Sequence, residues 1–155
     1  MVVTASIGLA VVAYLSETDK QRREFTMMLA MEFFSGDLQQ SKDQLYFTIR
    51  TIQEQVAPIR LGPEDLNLYL SKKSSGSTAE RDLDSALLAV AGFFNSAERC
   101  VESELCDALL MKELISADAT AILCVFSGYL EKMAAASNVM NLRTGLEYFS
   151  REPCM

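Results

Sequence analysis

The chain contains no histidine and no tryptophan among its 155 residues. Without histidine it cannot build the Ser–His or Cys–His pairs that activate many nucleophiles, nor a haem or di-iron site held by imidazole. No C-x-x-C pair and no Gly-rich phosphate loop with Walker spacing occurs either. We therefore predict no catalytic residue, no metal ligand and no cofactor.

Proline and glycine are scarce, with three and seven copies respectively, so few positions interrupt regular structure. The composition is rich in Ala, Leu, Glu and Met, which suit helices better than strands. No segment alternates convincingly between apolar and polar residues. These features predict an all-α fold, and the length and 50% apolar content fit one ordinary domain with its own core.

Basic residues are outnumbered, with 14 Lys and Arg against 21 Asp and Glu and a net charge of -7. A nucleic-acid binder would normally present a basic patch, so we expect no nucleic-acid partner.

The four cysteines match no compact extracellular disulfide framework, and no Asn-x-Ser/Thr acceptor occurs. We therefore expect a reduced domain. If Cys100 and Cys106 lay on one helix, they would face about 120° apart. We interpret them as small core side chains, with a metal or redox site as the alternative.

The N-terminal run from Val2 to Leu15 has no charged side chain. A signal peptide would begin with basic residues and end in an A-x-A-like site, and both are missing. The run covers only about 21 Å of a hydrocarbon core about 30 Å thick, but it lacks the polar face of an ordinary core helix. We predict a membrane anchor in residues 1–24; a helix buried in this protein or in a partner is the alternative. The anchoring side chains are Val2, Val3, Ile7, Leu9, Val11, Val12, Tyr14 and Leu15.

A basic cluster of Lys20, Arg22 and Arg23 follows the run. Such side chains can snorkel toward lipid headgroups, so we expect these three to face the headgroups. The positive-inside rule then predicts a single pass through the cytoplasmic (inner) membrane, with the helical domain, residues 25–155, in the cytoplasm.

Apolar residues at helical spacing and capping residues predict the helix boundaries. One helix is predicted from about Val2 to Phe34, ended by Ser35-Gly36-Asp37, and a second from Asp37 to Ala57-Pro58. A short helix over Pro63–Lys72 and a longer one from Thr78 follow.

Further along, Leu105, Leu109 and Leu110 suggest a short helix, and Ser116 with Asp118 predicts the start of another. Asn141 is the expected cap of the last. We thus expect a bundle of five or six helices after the anchor. Its core should include Leu45, Ile49, Leu87, Phe94, Phe126 and Leu130.

The densest acidic stretch contains Glu98, Glu102, Glu104 and Asp107. Paired carboxylates could bind a cation or act as acid and base. We interpret the stretch as a solvated face, because few of its members share one side of a helix.

Three segments together resemble an uncharacterised bacterial family, domain of unknown function 4760: "RREFTMMLAMEFFSGDLQQSKD", "LDSALLAVAGFFNSAERCVESELCDALLMKELI" and "LRTGLEYFSREP". The resemblance rests on apolar spacing and on the region of Phe93, Phe94 and Glu98, and it covers most of the chain. It implies a membrane-anchored helical domain without known catalytic residues. One departure follows Val101, where a Gly-bearing turn is expected and Glu102-Ser103-Glu104 stands instead.

The sequence thus favours a non-catalytic, membrane-tethered helical module that binds protein, as an accessory or regulatory subunit of a membrane-associated complex. Its partners would be another protein or a second copy, and membrane lipid. One alternative is a ligand sensor or enzyme with an interhelical pocket near Glu98 and Glu102, aided by Arg99 or Arg143. Another is a soluble bundle whose apolar N-terminal helix is buried in a partner.

Overall fold

The computed structural model describes residues 2–56, 78–137 and 141–151, and the side chains of residues 17–54, 82–136 and 141–151. These parts of the chain form helices and connecting turns, with no strand among them. The helices are α1 (Val2–Phe33), α2 (Gly36–Val56), α3 (Thr78–Glu102), α4 (Ala108–Ser137) and α5 (Thr144–Phe149). The all-α prediction is confirmed, while the predicted helix over Pro63–Lys72 lies outside the described residues.

α1 and α2 form a hairpin whose turn is the one predicted from the sequence. Gly36 has a φ of 61°, the left-handed conformation that glycine adopts without steric cost. The first helix therefore ends at Phe33, and its 32 residues join the apolar N-terminal run to the helical domain without a break.

The core is centred on α3, which packs most extensively against α2 and α5. Phe33 of α1 stacks on Phe93 with ring centroids 4.6 Å apart, and its edge meets Phe94 at 5.4 Å. The predicted core is confirmed, with Ile49 partly rather than fully buried. The largest fully buried side chains are Phe33, Phe94, Phe126, Phe149, Leu45, Leu87, Met111, Ile115, Ile122, Leu130, Leu146 and Val90.

Two predicted helix starts are wrong. α4 runs unbroken from Ala108 to Ser137, so Ser116 and Asp118 lie within it and cap nothing. The cap is Asp107, whose Oδ1 accepts from the backbone N–H groups of Leu109 and Leu110 at 3.0 Å each.

The predicted cap of the last helix is also wrong. Arg143 occupies the N-cap position of α5 and makes no side-chain capping bond. Asn141 instead has a φ of 73° and offers its carbonyl to Asn95 of α3 at 3.0 Å. The Asn95 side chain also accepts from the Gly145 N–H at 2.9 Å, so α3 itself fixes the start of α5.

Within the described ranges, no helix combines the length and the apolar character needed to cross a membrane.

Candidate functional site

The candidate site is built around the turn that joins α3 to α4. The Glu104 N–H donates to the Val101 carbonyl and the Leu105 N–H to the Cys100 carbonyl, both at 3.0 Å. This pair of bonds is the Schellman motif, in which the residue after the helix takes the left-handed conformation. Here that residue is Glu104, with a φ of 59°. The turn stands where the family resemblance led us to expect a turn that contains glycine.

The turn is closed by a disulfide between Cys100 and Cys106, whose Cα atoms are 5.3 Å apart. The two cysteines do not share a helix, because α3 ends at Glu102 and the turn brings Cys106 back toward Cys100. Both residues are buried, as expected, but as two halves of one bond rather than as separate thiols.

The turn is held against α1 by three side chains of that helix. Arg22 pairs with Glu104 at 3.1 Å, and Arg23 pairs with Asp107 at 3.4 Å. Between them the buried Thr26 hydroxyl accepts from the Asp107 N–H at 2.8 Å and donates to the Arg22 carbonyl at 2.7 Å. We call these three side chains, with Cys100 and residues 103–107, the junction.

Asp107 has a lowered pKa within the junction. The Leu110 N–H is the main cause, and the Arg23 side chain and the Leu109 N–H act in the same direction against partial desolvation. A lowered folded-state pKa adds stability above the unfolded value of about 3.9, and this stability is lost as the pH falls through the folded value. Acid therefore weakens the cap of α4 and its tie to α1 together.

Replacing Glu104 tests the cost of the left-handed turn. Glu104→Gly should be more stable than Glu104→Ala by about 1 kcal/mol, because both lose the ion pair but only glycine relieves the backbone. This order is the reverse of the one found inside helices. Denaturant unfolding of the purified chains measures the difference, and an alanine variant at least as stable as the glycine variant would contradict it.

The three residues predicted to face lipid headgroups have different surroundings in this structure. Lys20 is largely exposed and lies 3.9 Å from Glu24 on the same helix, a weak surface pair. Arg22 and Arg23 instead belong to the junction. The side chains predicted to form the anchor, between Val2 and Leu15, lie outside those that the structure describes, although their backbone forms the first half of α1.

The acidic stretch does not converge on one point. Glu104 and Asp107 face α1, while Glu102 is exposed and Glu98 is half-buried on α3. In the part of the chain that the structure describes, no three His, Cys, Asp or Glu side chains are placed to hold a metal ion.

A second polar cluster ties α2 to α4. The Tyr46 hydroxyl donates to Asp118 at 2.5 Å, and the Lys42 ammonium lies 4.0 Å from the same carboxylate. Burial raises the pKa of Tyr46, and the bond to Asp118 adds to the effect, so the phenol stays protonated as a donor. Lys42 also lies over the rings of Phe33 and Phe34, at 4.7 and 4.3 Å. This cluster joins α2 to α4.

A groove of about 530 Å³ lies between α1, α2 and α3, next to Leu29, Glu32, Asp37 and Phe93. Neither Glu98 nor Glu102 lines it. This groove is therefore not the pocket that was expected near those two glutamates.

One feature that the sequence did not predict is an apolar surface on α1. Met27, Met28 and Met31 are 44%, 61% and 65% exposed, and they line a shallow groove between Arg23 and Glu32. Their spacing places them on one side of the helix, while Thr26, Ala30 and Phe33 are buried on the other. We call the three residues the methionine face. The run "TMMLAMEFF" shows no polar side, and only the packing decides which apolar residues remain outside.

No family model, curated protein or solved structure matches the chain.

Proposed function

We propose that this protein is a non-catalytic, membrane-tethered helical module that binds another protein or a second copy of itself through the methionine face. It would serve as an accessory or regulatory subunit of a membrane-associated complex. The resemblance to the 4760 family supports the tether, and no reaction is assigned to any residue.

The exposed methionine face carries this proposal. Contiguous apolar side chains at a protein surface are typical of interaction sites, and methionine adapts its shape to varied partners. The face lies on the same helix as the uncharged run from Val2 to Leu15. A partner of the same membrane would therefore meet it close to the bilayer, about 20 Å along the helix from Leu15.

The junction fits the same proposal. Its ion pairs and the buried Thr26 bonds fasten the buried side of α1 to the turn before α4. These contacts fix which side of α1 faces the domain, so the methionine face points away from it. A fixed helix loses less conformational freedom on binding than a mobile one.

A photo-crosslinking amino acid at position 28 of the full chain should form an adduct with a partner in growing bacteria, because Met28 lies within the proposed contact. The same probe at Leu109, which is 82% exposed on α4, is the matched control and should form none. Gel mobility distinguishes a second copy, at twice the chain's mass, from a different protein. Equal labelling at both positions, or none at position 28, would refute the proposed surface.

The tether is tested separately by washing membranes from these cells with carbonate. A tethered chain stays in the pellet. Release into the supernatant would favour the alternative of a soluble bundle whose N-terminal helix is covered by protein.

A further inference from the structure

We infer that the helical domain folds in an oxidising compartment, outside the cytoplasm, where the Cys100–Cys106 disulfide is a permanent structural bond of the junction. This is the opposite side of the membrane from the one that the basic cluster favours. The inference rests on the proposed function in one respect only, namely that a tether holds the domain at the membrane.

The first support is the state of the cysteines. Cys100 and Cys106 are bonded to each other, Cys124 is also disulfide-bonded, and none of the described cysteines is free. Disulfides persist in secreted, periplasmic and surface proteins, whereas cytosolic thiols are kept reduced.

The second support is where the bond lies. Cys100 is 7% exposed and Cys106 is 4% exposed, so a reducing thiolate would have poor access to either sulfur. Poor access suits a structural bond better than a catalytic or regulatory one, because redox-active cysteines are at least partly exposed.

The third support is what the bond does for the turn. It spans the left-handed Glu104, a backbone conformation that is unfavourable for a residue other than glycine. Since the turn presents Glu104 and Asp107 to α1, a covalent closure holds together the contacts that position that helix.

The contacts of the junction also weaken the argument from the positive-inside rule, which places the domain in the cytoplasm. Arg22 and Arg23 contact carboxylates of the turn in the folded domain, so their presence has a structural reason on either side of the membrane.

The Cys100–Cys106 bond forms by thiol–disulfide exchange. The two thiols give up two protons and two electrons to the disulfide of a thiol oxidoreductase, which leaves as a dithiol. Such carriers work in the compartments to which exported chains are delivered.

Thiol trapping tests the inference on the full chain expressed in a bacterium. Cells are quenched in acid, and free thiols are then labelled with a maleimide–polyethylene glycol that retards the chain on a gel. The double variant C124S/C154S leaves only Cys100 and Cys106. It should show no added label before reduction and two labels after. Two labels before reduction would overturn the inference, and the C100S/C106S variant is the matched control for bands that do not come from this pair.

A reporter fused after Met155 reads the compartment independently. Alkaline phosphatase, which needs disulfides, should be active, and a green fluorescent protein in its place should be dark. A fluorescent fusion overturns the inference even if the pair is oxidised. The carbonate wash keeps the two proposals apart, because an oxidised pair on a chain released into the supernatant would overturn the tether and leave this inference standing.

Discussion

Phe94→Ala should lower the free energy of unfolding by about 3–5 kcal/mol, the range for removing a fully buried aromatic side chain. Phe94 has 0% exposure on α3 and touches the rings of Phe33, Phe93 and Phe149, at centroid distances of 5.4, 5.6 and 6.2 Å. The truncation would therefore leave a cavity where α1, α3 and α5 meet. Against a typical total stability of 5–15 kcal/mol, the loss is large enough to see as a shift of the denaturant midpoint.

Phe47→Ala is the matched control, since it removes the same atoms from a ring that is 71% exposed on α2. It should change the stability by no more than about 0.5 kcal/mol. If the two variants unfolded alike, the assignment of the buried side of α3 would be wrong.

Sequence patterns were sufficient wherever one helix buries a continuous stripe. Leu87, Phe94, Phe126 and Leu130 recur at helical spacing, and the core contains all four. The turn after Phe33 was also predictable, because Gly36 supplies a left-handed conformation that few other residues adopt easily.

The start of α4 was not predictable, because its polar residues are used in contacts between distant segments. Ser116 resembled a cap, yet its buried hydroxyl accepts from the Arg151 side chain at 2.6 Å. Asp118 resembled a first-turn acid, yet it binds Tyr46 of α2. A local pattern cannot distinguish a capping side chain from one that faces a partner 35 or 72 residues away.

The junction was missed for a related reason. Neither glycine nor proline marks the end of α3, and the two cysteines were considered only for the case of one shared helix, where they would face about 120° apart. The turn depends on Glu104 in the left-handed conformation, and the sequence does not indicate this because glutamate rarely adopts it. The pairs from Arg22 to Glu104 and from Arg23 to Asp107 join residues 82 and 84 positions apart, beyond the range of any periodicity.

Gly145→Ala should destabilise the domain by about 3 kcal/mol, the upper end of the usual cost of overpacking. An added Cβ would lie 2.2 Å from the carbonyl carbon of Phe94 and 2.4 Å from both the Phe94 oxygen and the Asn95 nitrogen. All three are backbone atoms of α3, so no side-chain rotation can make room. α5 would have to move away, breaking the bond from the Gly145 N–H to Asn95 and loosening the buried Leu146 and Phe149.

Gly92→Ala is the matched control, because Gly92 lies on the exposed side of α3 and an added methyl group there meets no atom within 4 Å. Inside a helix that exchange should stabilise by roughly 0.5–1 kcal/mol, since alanine has less backbone freedom to lose on folding than glycine. Denaturant unfolding should therefore move the two variants in opposite directions from the wild-type midpoint. A Gly145→Ala variant as stable as the wild type would mean that α5 does not cross α3 at this close distance. Opposite signs would show that the closeness of that crossing, rather than helix propensity, requires glycine at position 145.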